Sequence, residues 1–307
     1  MIEKKVPSTD KIHELSGRIY LPESEPKGYF HVVHGMTEHI ARYDGFMREM
    51  ARAGYICFGY DNLGHGQTAR NKEELGYFAE KDGWLYLSGD VFRFADAVRR
   101  EYGDLPYTLM GHSMGSFIVR TATLFFGMPE RLIVMGTGGP NPAAKAGTVT
   151  AKAAERLHGG HYVSRPIDLL AFGSYRRHFH EDDPNAWLTK DREVRRAYAE
   201  DPYCTFPFTV SAMRDLVMLN RMANSNEWFE TVNKKMPILL ISGVDDPVGN
   251  YGKGVCEVYR RLIRHGANAQ IKLYADCRHE ILNDTCREEV IEDILRFTGE
   301  GRKEETV

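Results

Sequence analysis

The stretch Tyr107-Thr108-Leu109-Met110-Gly111-His112-Ser113-Met114-Gly115 constrains the fold of this chain more than any other. A short apolar run ends in a turn of small residues around one serine, and a helix-compatible run, Ser116 to Arg120, follows at once. Gly111-x-Ser113-x-Gly115 is the pattern of a nucleophile elbow. A serine on a strained strand-to-helix turn carries its hydroxyl above the sheet edge, clear of neighbours. The turn leaves little room for side chains two residues before and after it, which suits glycine. The helix start brings backbone N–H groups close to a developing oxyanion. Ser113 is therefore the candidate nucleophile. Ordinary strand-to-helix turns share the pattern, so the surrounding chain has to decide.

The chain around the elbow alternates strand-like and helix-like runs. Tyr29 to Val33 and Tyr55 to Tyr60 are β-branched or aromatic runs, and Arg131 to Met135 is a third strand beyond the elbow. A helix is expected from Tyr43 to Arg52, with Phe46, Met47 and Met50 on one face. Another is expected from Gly83 to Tyr102, where Leu87, Val91, Phe94, Ala95 and Val98 recur at three-to-four spacing. Lys11 to Leu21 reads as an edge strand or two. The alternation predicts an α/β fold with a mostly parallel central sheet and helices on both faces.

The rhythm breaks from Asn141 to Ser211. That stretch contains no strand-like run and is interrupted by Pro166, Pro184, Pro202 and Pro207. It is too long for a plain loop and reads as a mostly helical insertion. The expected organisation is a core of residues 1–140 and 212–307, with a helical cap, 141–211, inserted after the sixth core strand. Strand rhythm returns at Pro237 to Gly243 and at Ala269 to Tyr274. Helices are expected from Lys253 to His265 and from Arg287 to Phe297. A charged tail, Gly301 to Glu305, is expected to fray.

A serine hydroxyl needs a base, and the base needs an acid that fixes its tautomer and stabilises the imidazolium. The loop after the strand ending at Ile241 carries Asp245 and Asp246. The loop after the last strand carries His279. In a parallel sheet these strand ends meet on the carboxyl edge, where sites of open α/β sheets lie. Pro247 restricts the backbone beside Asp246, which favours that residue over Asp245. His279 has eleven rivals among 12 histidines, and its place after the last strand selects it. His112 adjoins the serine, but a tight elbow turns its side chain away, into packing. The oxyanion donors expected are the backbone N–H of Met114 and that of Met36, in the loop after the His31–Val33 strand.

Composition narrows the alternatives. A formal net charge of −3 over 307 residues gives no footprint for nucleic acid. The residues Met1 to Pro7 include no apolar core of a secretory signal, and no run approaches a membrane span. The five cysteines, Cys57, Cys204, Cys256, Cys277 and Cys286, are odd in number and scattered. They are expected as reduced thiols of a cytoplasmic protein, with Cys277 a plain packing cysteine.

Taken together, these residues resemble the monoacylglycerol lipase and lysophospholipase branch of the α/β-hydrolases. The matching positions are His34-Gly35-x-x-Glu38-His39-x-x-Arg42-Tyr43, Asp61-x-x-Gly64-His65-Gly66, Gly111-His112-Ser113-Met114-Gly115, Gly243-x-x-Asp246-Pro247-Val248 and His279. The resemblance covers residues 28 to 282. It implies the α/β-hydrolase fold, a serine hydrolase acting on small carboxylic esters under a variable cap, and Asp246 as the acid. The triad Ser113, His279 and Asp246 would work with no cofactor and no metal. Met36 stands where the family commonly has a small residue, and Leu63 where it commonly has arginine. The expected partner is a small ester or lipid substrate, with transient membrane contact through the cap.

Glu38 and Arg42 could hydrogen-bond an alcohol head group, or form an ion pair at a helix start. Arg176, Arg177, His178 and His180 form a basic patch or a solvated face. Leu169, Leu170, Phe172, Trp187, Phe206, Phe208 and Met213 could line an acyl pocket or form the cap's own core. Aminopeptidase or amidase action, C–C bond hydrolysis and perhydrolase activity are rivals on the same triad. A binding module that keeps the fold is the non-enzyme alternative. Epoxide hydrolase and dehalogenase chemistry would call for aspartate at position 113.

Overall fold

The computed structural model describes residues 1–141, 144–175, 179 and 181–299, without the side chains of 144–146. The patch of Arg176, Arg177, His178 and His180 and the charged tail lie outside the described residues. The strands are β1 (Ile2–Pro7), β2 (Glu14–Tyr20), β3 (Gly28–Val33), β4 (Tyr55–Tyr60), β5 (Tyr107–His112), β6 (Arg131–Met135), β7 (Ile238–Gly243) and β8 (Ala269–Tyr274). They form one sheet in the order β1-β2-β4-β3-β5-β6-β7-β8. β1 and β2 enter antiparallel, and every pairing from β4 to β8 is parallel. Register sets the carboxyl ends level: Val33 lies opposite Gly111, His112 opposite Met135, and Gly243 opposite Tyr274.

Helices cover both faces, so β3, β5 and β7 are buried along their whole length and read as near-continuous apolar runs. The strand period of two sorts their side chains. Phe30, Val32, Met110 and Leu239 face a layer built from Phe46, Met47 and Met50 of α1 (Asp44–Arg52) and Val290, Ile291 and Ile294 of α10 (Arg287–Thr298). Tyr29, Val33, Leu109 and Leu240 face the other layer. There α2 (Gly83–Tyr102) contributes Leu87, Val91, Phe94 and Val98, and α3 (Met114–Phe125) contributes Ile118 and Val119. The Lys253–Arg264 helix, labelled α9 below, adds Val255, Val258 and Leu262 to that layer.

Between β6 and β7 the described residues hold helices and no strand: α4 (Ala144–His158), α5 (Arg165–Phe172), α6 (Arg192–Glu200), α7 (Val210–Ala223) and α8 (Asn226–Thr231). Local chemistry starts them. Pro166 occupies the first turn of α5. The Asp191 carboxylate caps α6 by accepting from the N–H groups of Glu193 and Val194, and Thr209 and Ser225 cap α7 and α8. α7 does not stand apart, because Ala212, Met213, Leu219 and Ala223 join the main core beside α3. No helix among the described residues is long and apolar enough to cross a membrane.

Two expectations are corrected. The edge of the sheet is β1, which lies before the predicted Lys11–Leu21 segment. Its sequence, Ile-Glu-Lys-Lys-Val-Pro, has a single fully buried residue, Val6. A charged edge strand of this kind resists pairing with other chains and carries little apolar signal. Cys277 is not a plain packing cysteine either. Its sulfur meets that of Cys286 at the start of α10, with Cα atoms 6.5 Å apart, while Cys57, Cys204 and Cys256 remain free thiols.

Asp215 of α7 gives the fold a pH dependence. Burial pushes its carboxyl up to about 7, against the opposing pull of Arg214. The folded chain then holds a proton that the unfolded chain releases near pH 4. The stability this group contributes falls as pH rises from about 4 to about 7 and is level above. Asp215→Asn removes this loss. Between pH 4 and pH 8 the variant should gain about 2–4 kcal/mol on the wild type, read from urea unfolding at both pH values.

Candidate active site

Ser113 sits between β5 and α3 with φ 54° and ψ −120°, a left-handed conformation that L-residues rarely adopt. The two flanking glycines permit it. A Cβ at Gly111 would lie 2.3 Å from the Gly115 carbonyl oxygen, and one at Gly115 would lie 2.1 Å from that of Val33. The helix is thus pressed against the ends of β3 and β5 more closely than any side chain allows. The Ser113 N–H donates to Met135 O (3.0 Å), and the N–H of Ser116 returns to Ser113 O (2.9 Å). Strain at one residue is held by the sheet on both sides.

Asp246 and His279 meet across the ends of β7 and β8. The Asp246 carboxylate is wholly buried. Its Oδ1 accepts from Val248 N–H (2.8 Å) and its Oδ2 from the Ser242 hydroxyl (3.1 Å). His279 Nδ1 lies 2.9 Å from the same Oδ2, within reach of an ion pair when the ring is protonated. Asp245 is instead half-buried, its N–H bound to Cys277 O. The His279 ring stands 4.7 Å from that of His112, the residue before Ser113, and 5.2 Å from that of Trp187. The loop after β3 closes the group, since a Cβ on Gly35 would lie 2.9 Å from Ser113 Cβ. Met36 and Met114 flank the serine from this loop and from the first turn of α3.

Behind Ser113 lies a buried charged network. Glu38 Oε1 accepts from Gly35 N–H (2.6 Å), the Tyr43 hydroxyl (2.9 Å) and His112 Nδ1 (3.2 Å). Arg42 donates to Glu38 Oε2 (3.0 Å) and, through both Nη atoms, to Glu280 (2.7 Å each). Burial alone would lower the His112 pKa, but the Glu38 hydrogen bond and charge outweigh it and raise it. Burial would raise the Glu38 carboxyl, and His112 and Arg42 hold it well below the usual carboxylate range instead. The network fastens the loop after β3, the elbow and the His279 loop to one another. Glu280 is a residue that sequence reasoning missed. Its position beside His279 was the available signal, but its partner lies 238 residues away.

The residues considered for an acyl pocket divide. Leu169 and Leu170 are about three-quarters exposed, at 70% and 74%. Phe208 and Met213 belong to the main core, and Phe206 packs edge-on to His65. Trp187 packs beside His279, its ring tilted 37° to the imidazole. A hollow of about 520 Å³ lined by Lys27, Tyr55, Pro106, Thr108 and Arg131 lies at the amino ends of the strands, on the far side from Ser113.

Residues 24–286 match the family Hydrolase_4, described as "Serine aminopeptidase, S33". The chain belongs to that family of α/β-hydrolases. It is 31% identical to a highly thermostable carboxyl esterase from Bacillus coagulans, whose crystal structure was determined in complex with glycerol. That likeness covers 97% of each chain with a TM-score of 0.91. A Mycolicibacterium smegmatis monoacylglycerol lipase is 23% identical over 306 residues, 95% of this chain and 98% of that protein. The mouse monoglyceride lipase is 32% identical over 101 residues, a match spanning 33% of this chain and 31% of that enzyme. These relatives bear out the resemblance to the monoacylglycerol lipase branch and support a carboxylic ester hydrolase.

Proposed function

We propose that the chain is a serine hydrolase of small carboxylic esters, of the monoacylglycerol or lysophospholipid type. The observation that carries this reading is the strained Ser113 beside the buried Asp246–His279 pair. Ser113 Oγ attacks the ester carbonyl carbon while His279 Nε2 takes its proton. Asp246 faces Nδ1 and stabilises the imidazolium. The oxyanion is received by the backbone N–H groups of Met36 and Met114. His279 then protonates the departing alcohol. Water, deprotonated by His279, attacks the acyl-enzyme and releases the acid.

Residues 141–211 act as a cap over this centre. Trp187 packs against His279, and Arg278, the residue before that histidine, donates to Ala186 O and Glu181 Oε1. The B. coagulans esterase was crystallised with glycerol, which supports a glyceryl head group. Glu38 and Arg42 serve the site through its frame: their charged atoms are saturated by one another, His112, Tyr43 and Glu280. Arg42→Ala leaves two buried carboxylates without their cation and should cost about 3–5 kcal/mol in urea unfolding. The ratio of glyceryl to methyl ester turnover should stay as in the wild type.

The test is hydrolysis of an ester panel graded by acyl length, with monoacylglycerol, lysophospholipid and aminoacyl amide members, beside fluorophosphonate labelling. Turnover that peaks at one acyl length, with the label on Ser113, is expected. Preference for the aminoacyl amides would move the function to peptidase action. Folded protein that neither labels nor turns over any member would leave a binding module.

A further inference from the structure

Away from the triad, the structure gathers one group of three metal-ligating side chains among the described residues: His39, Asp201 and Cys204. His39 ends the loop after β3 in an extended conformation, just before the 3-10 turn Ile40–Tyr43. Asp201 caps the carboxyl end of α6. A tight turn follows, in which Cys204 N–H donates to Asp201 O (3.0 Å) and Tyr203 N–H to Asp201 Oδ1 (2.8 Å). The turn puts the carboxylate and the thiol on one side, facing His39. His39 Nε2 is 2.8 Å from Asp201 Oδ2, and the three ligand atoms lie within 4.8 Å of one another.

We propose that His39, Asp201 and Cys204 form a binding site for a zinc-class divalent cation, which ties the loop after β3 to the segment after α6. The donor set is one imidazole nitrogen, one carboxylate oxygen and one sulfur. That mixture suits Zn²⁺ or Co²⁺ and not the all-oxygen preference of Mg²⁺ or Ca²⁺. Bonds of about 2.0–2.3 Å in a tetrahedron separate ligand atoms by about 3.3–3.7 Å. The short His39–Asp201 side has to open by about half an ångström and the longest side to close by at most about one, which are side-chain adjustments.

Local charge favours a cation. Asp201, Glu38 and Glu280 face this corner, against the single guanidinium of Arg42, which both glutamates already share. Burial is graded in the right sense. Cys204 is 1% exposed and packs with Leu188 and Tyr198, whereas the His39 and Asp201 side chains keep 15% and 29% of their surface. The metal enters from the open side, and a water fills the fourth position. On binding, the Cys204 thiol releases its proton to solvent, His39 ligates as neutral imidazole through Nε2, and no electron is transferred.

The alternative is a metal-free latch of hydrogen bonds between the same residues, and the experiment separates the two. The full chain, reduced and freed of metal by chelation, is titrated with Co²⁺ as the optical probe and with Zn²⁺ by equilibrium dialysis. The proposal expects one equivalent bound, with a thiolate-to-cobalt charge-transfer band. Cys204→Ala and His39→Gln abolish both, and Cys256→Ala, at the partly exposed free thiol, keeps both. His39→Gln guards against misfolding, since its side chain is partly exposed and its metal-free Tm can be compared with that of the wild type. Zn²⁺ at about a hundredfold its Kd should raise the wild-type Tm by about 3–6 °C and leave His39→Gln unmoved. Absence of the band, its survival in His39→Gln, or its loss in Cys256→Ala overturns the proposal. None of these readouts depends on Ser113 being the nucleophile.

Discussion

Ser113→Ala should lower kcat/KM for esters by about four to six orders of magnitude while leaving the chain folded. The hydroxyl oxygen is the atom that forms the acyl bond, and no neighbouring group in the site can replace it. Whatever turnover survives would come from substrate binding and the oxyanion donors alone, and subtilisin loses about 2 × 10⁶ in kcat when its serine is removed. The same position carries a second, opposite expectation. At φ 54° and ψ −120° a side chain is strained and glycine is not. Ser113→Gly should therefore be as inactive as the alanine variant and more stable than the wild type by about 1–2 kcal/mol. Urea unfolding of the three proteins side by side, with turnover measured on the same samples, checks both claims. An elbow serine kept against a stability gradient is what a catalytic role predicts. If glycine is the least stable of the three, the strain argument fails even where the activity argument holds.

The parts of this chain that were legible in its sequence are those whose signal is local. The strands from Tyr55 to Tyr60 and from Arg131 to Met135 and the helix from Gly83 to Tyr102 have the bounds that their periodicity predicts. Each is an apolar run or stripe that only one layer of the fold can bury. The elbow was legible because two close approaches, at Gly111 and Gly115, exclude every side chain. β1 was not, since a charged edge strand is made a strand by its partner Glu14–Tyr20 and not by its own pattern. Pairings across long separations left no local trace. Arg42 finds Glu280, and Arg120, fully buried, reaches Ala223 O and the face of Trp228. Such contacts become visible only when strand ends that are far apart in sequence are brought level. The same holds for His39, Asp201 and Cys204, which read as unrelated residues until the turn after α6 folds against the loop after β3.

The second large effect is expected at Asp246. Asp246→Asn conserves shape and should reduce kcat by about four orders of magnitude, the loss known for the acid of a serine triad. The carboxylate here has a definite division of labour. Oδ1 is engaged by Val248 N–H, and Oδ2 is left to Ser242 and His279. An asparagine must keep its carbonyl oxygen on the Val248 N–H, because its amide N–H₂ there would face another donor. Its N–H₂ group is then turned towards His279 Nδ1. The histidine can meet that donor only with Nδ1 unprotonated, which puts its proton on Nε2, the atom that has to take one from Ser113. The variant should fold, bind substrate with little change in KM, and label slowly with fluorophosphonate. Raising the pH should restore part of the turnover, as hydroxide takes over the work of the misassigned base. Asp245→Asn is the matched control, since that side chain is half-buried and its backbone N–H, not its carboxylate, makes the contact with Cys277 O. It should retain turnover within about threefold, a change below 1 kcal/mol. Equal losses at 245 and 246 would mean that the loop's shape, and not one carboxylate, supports His279.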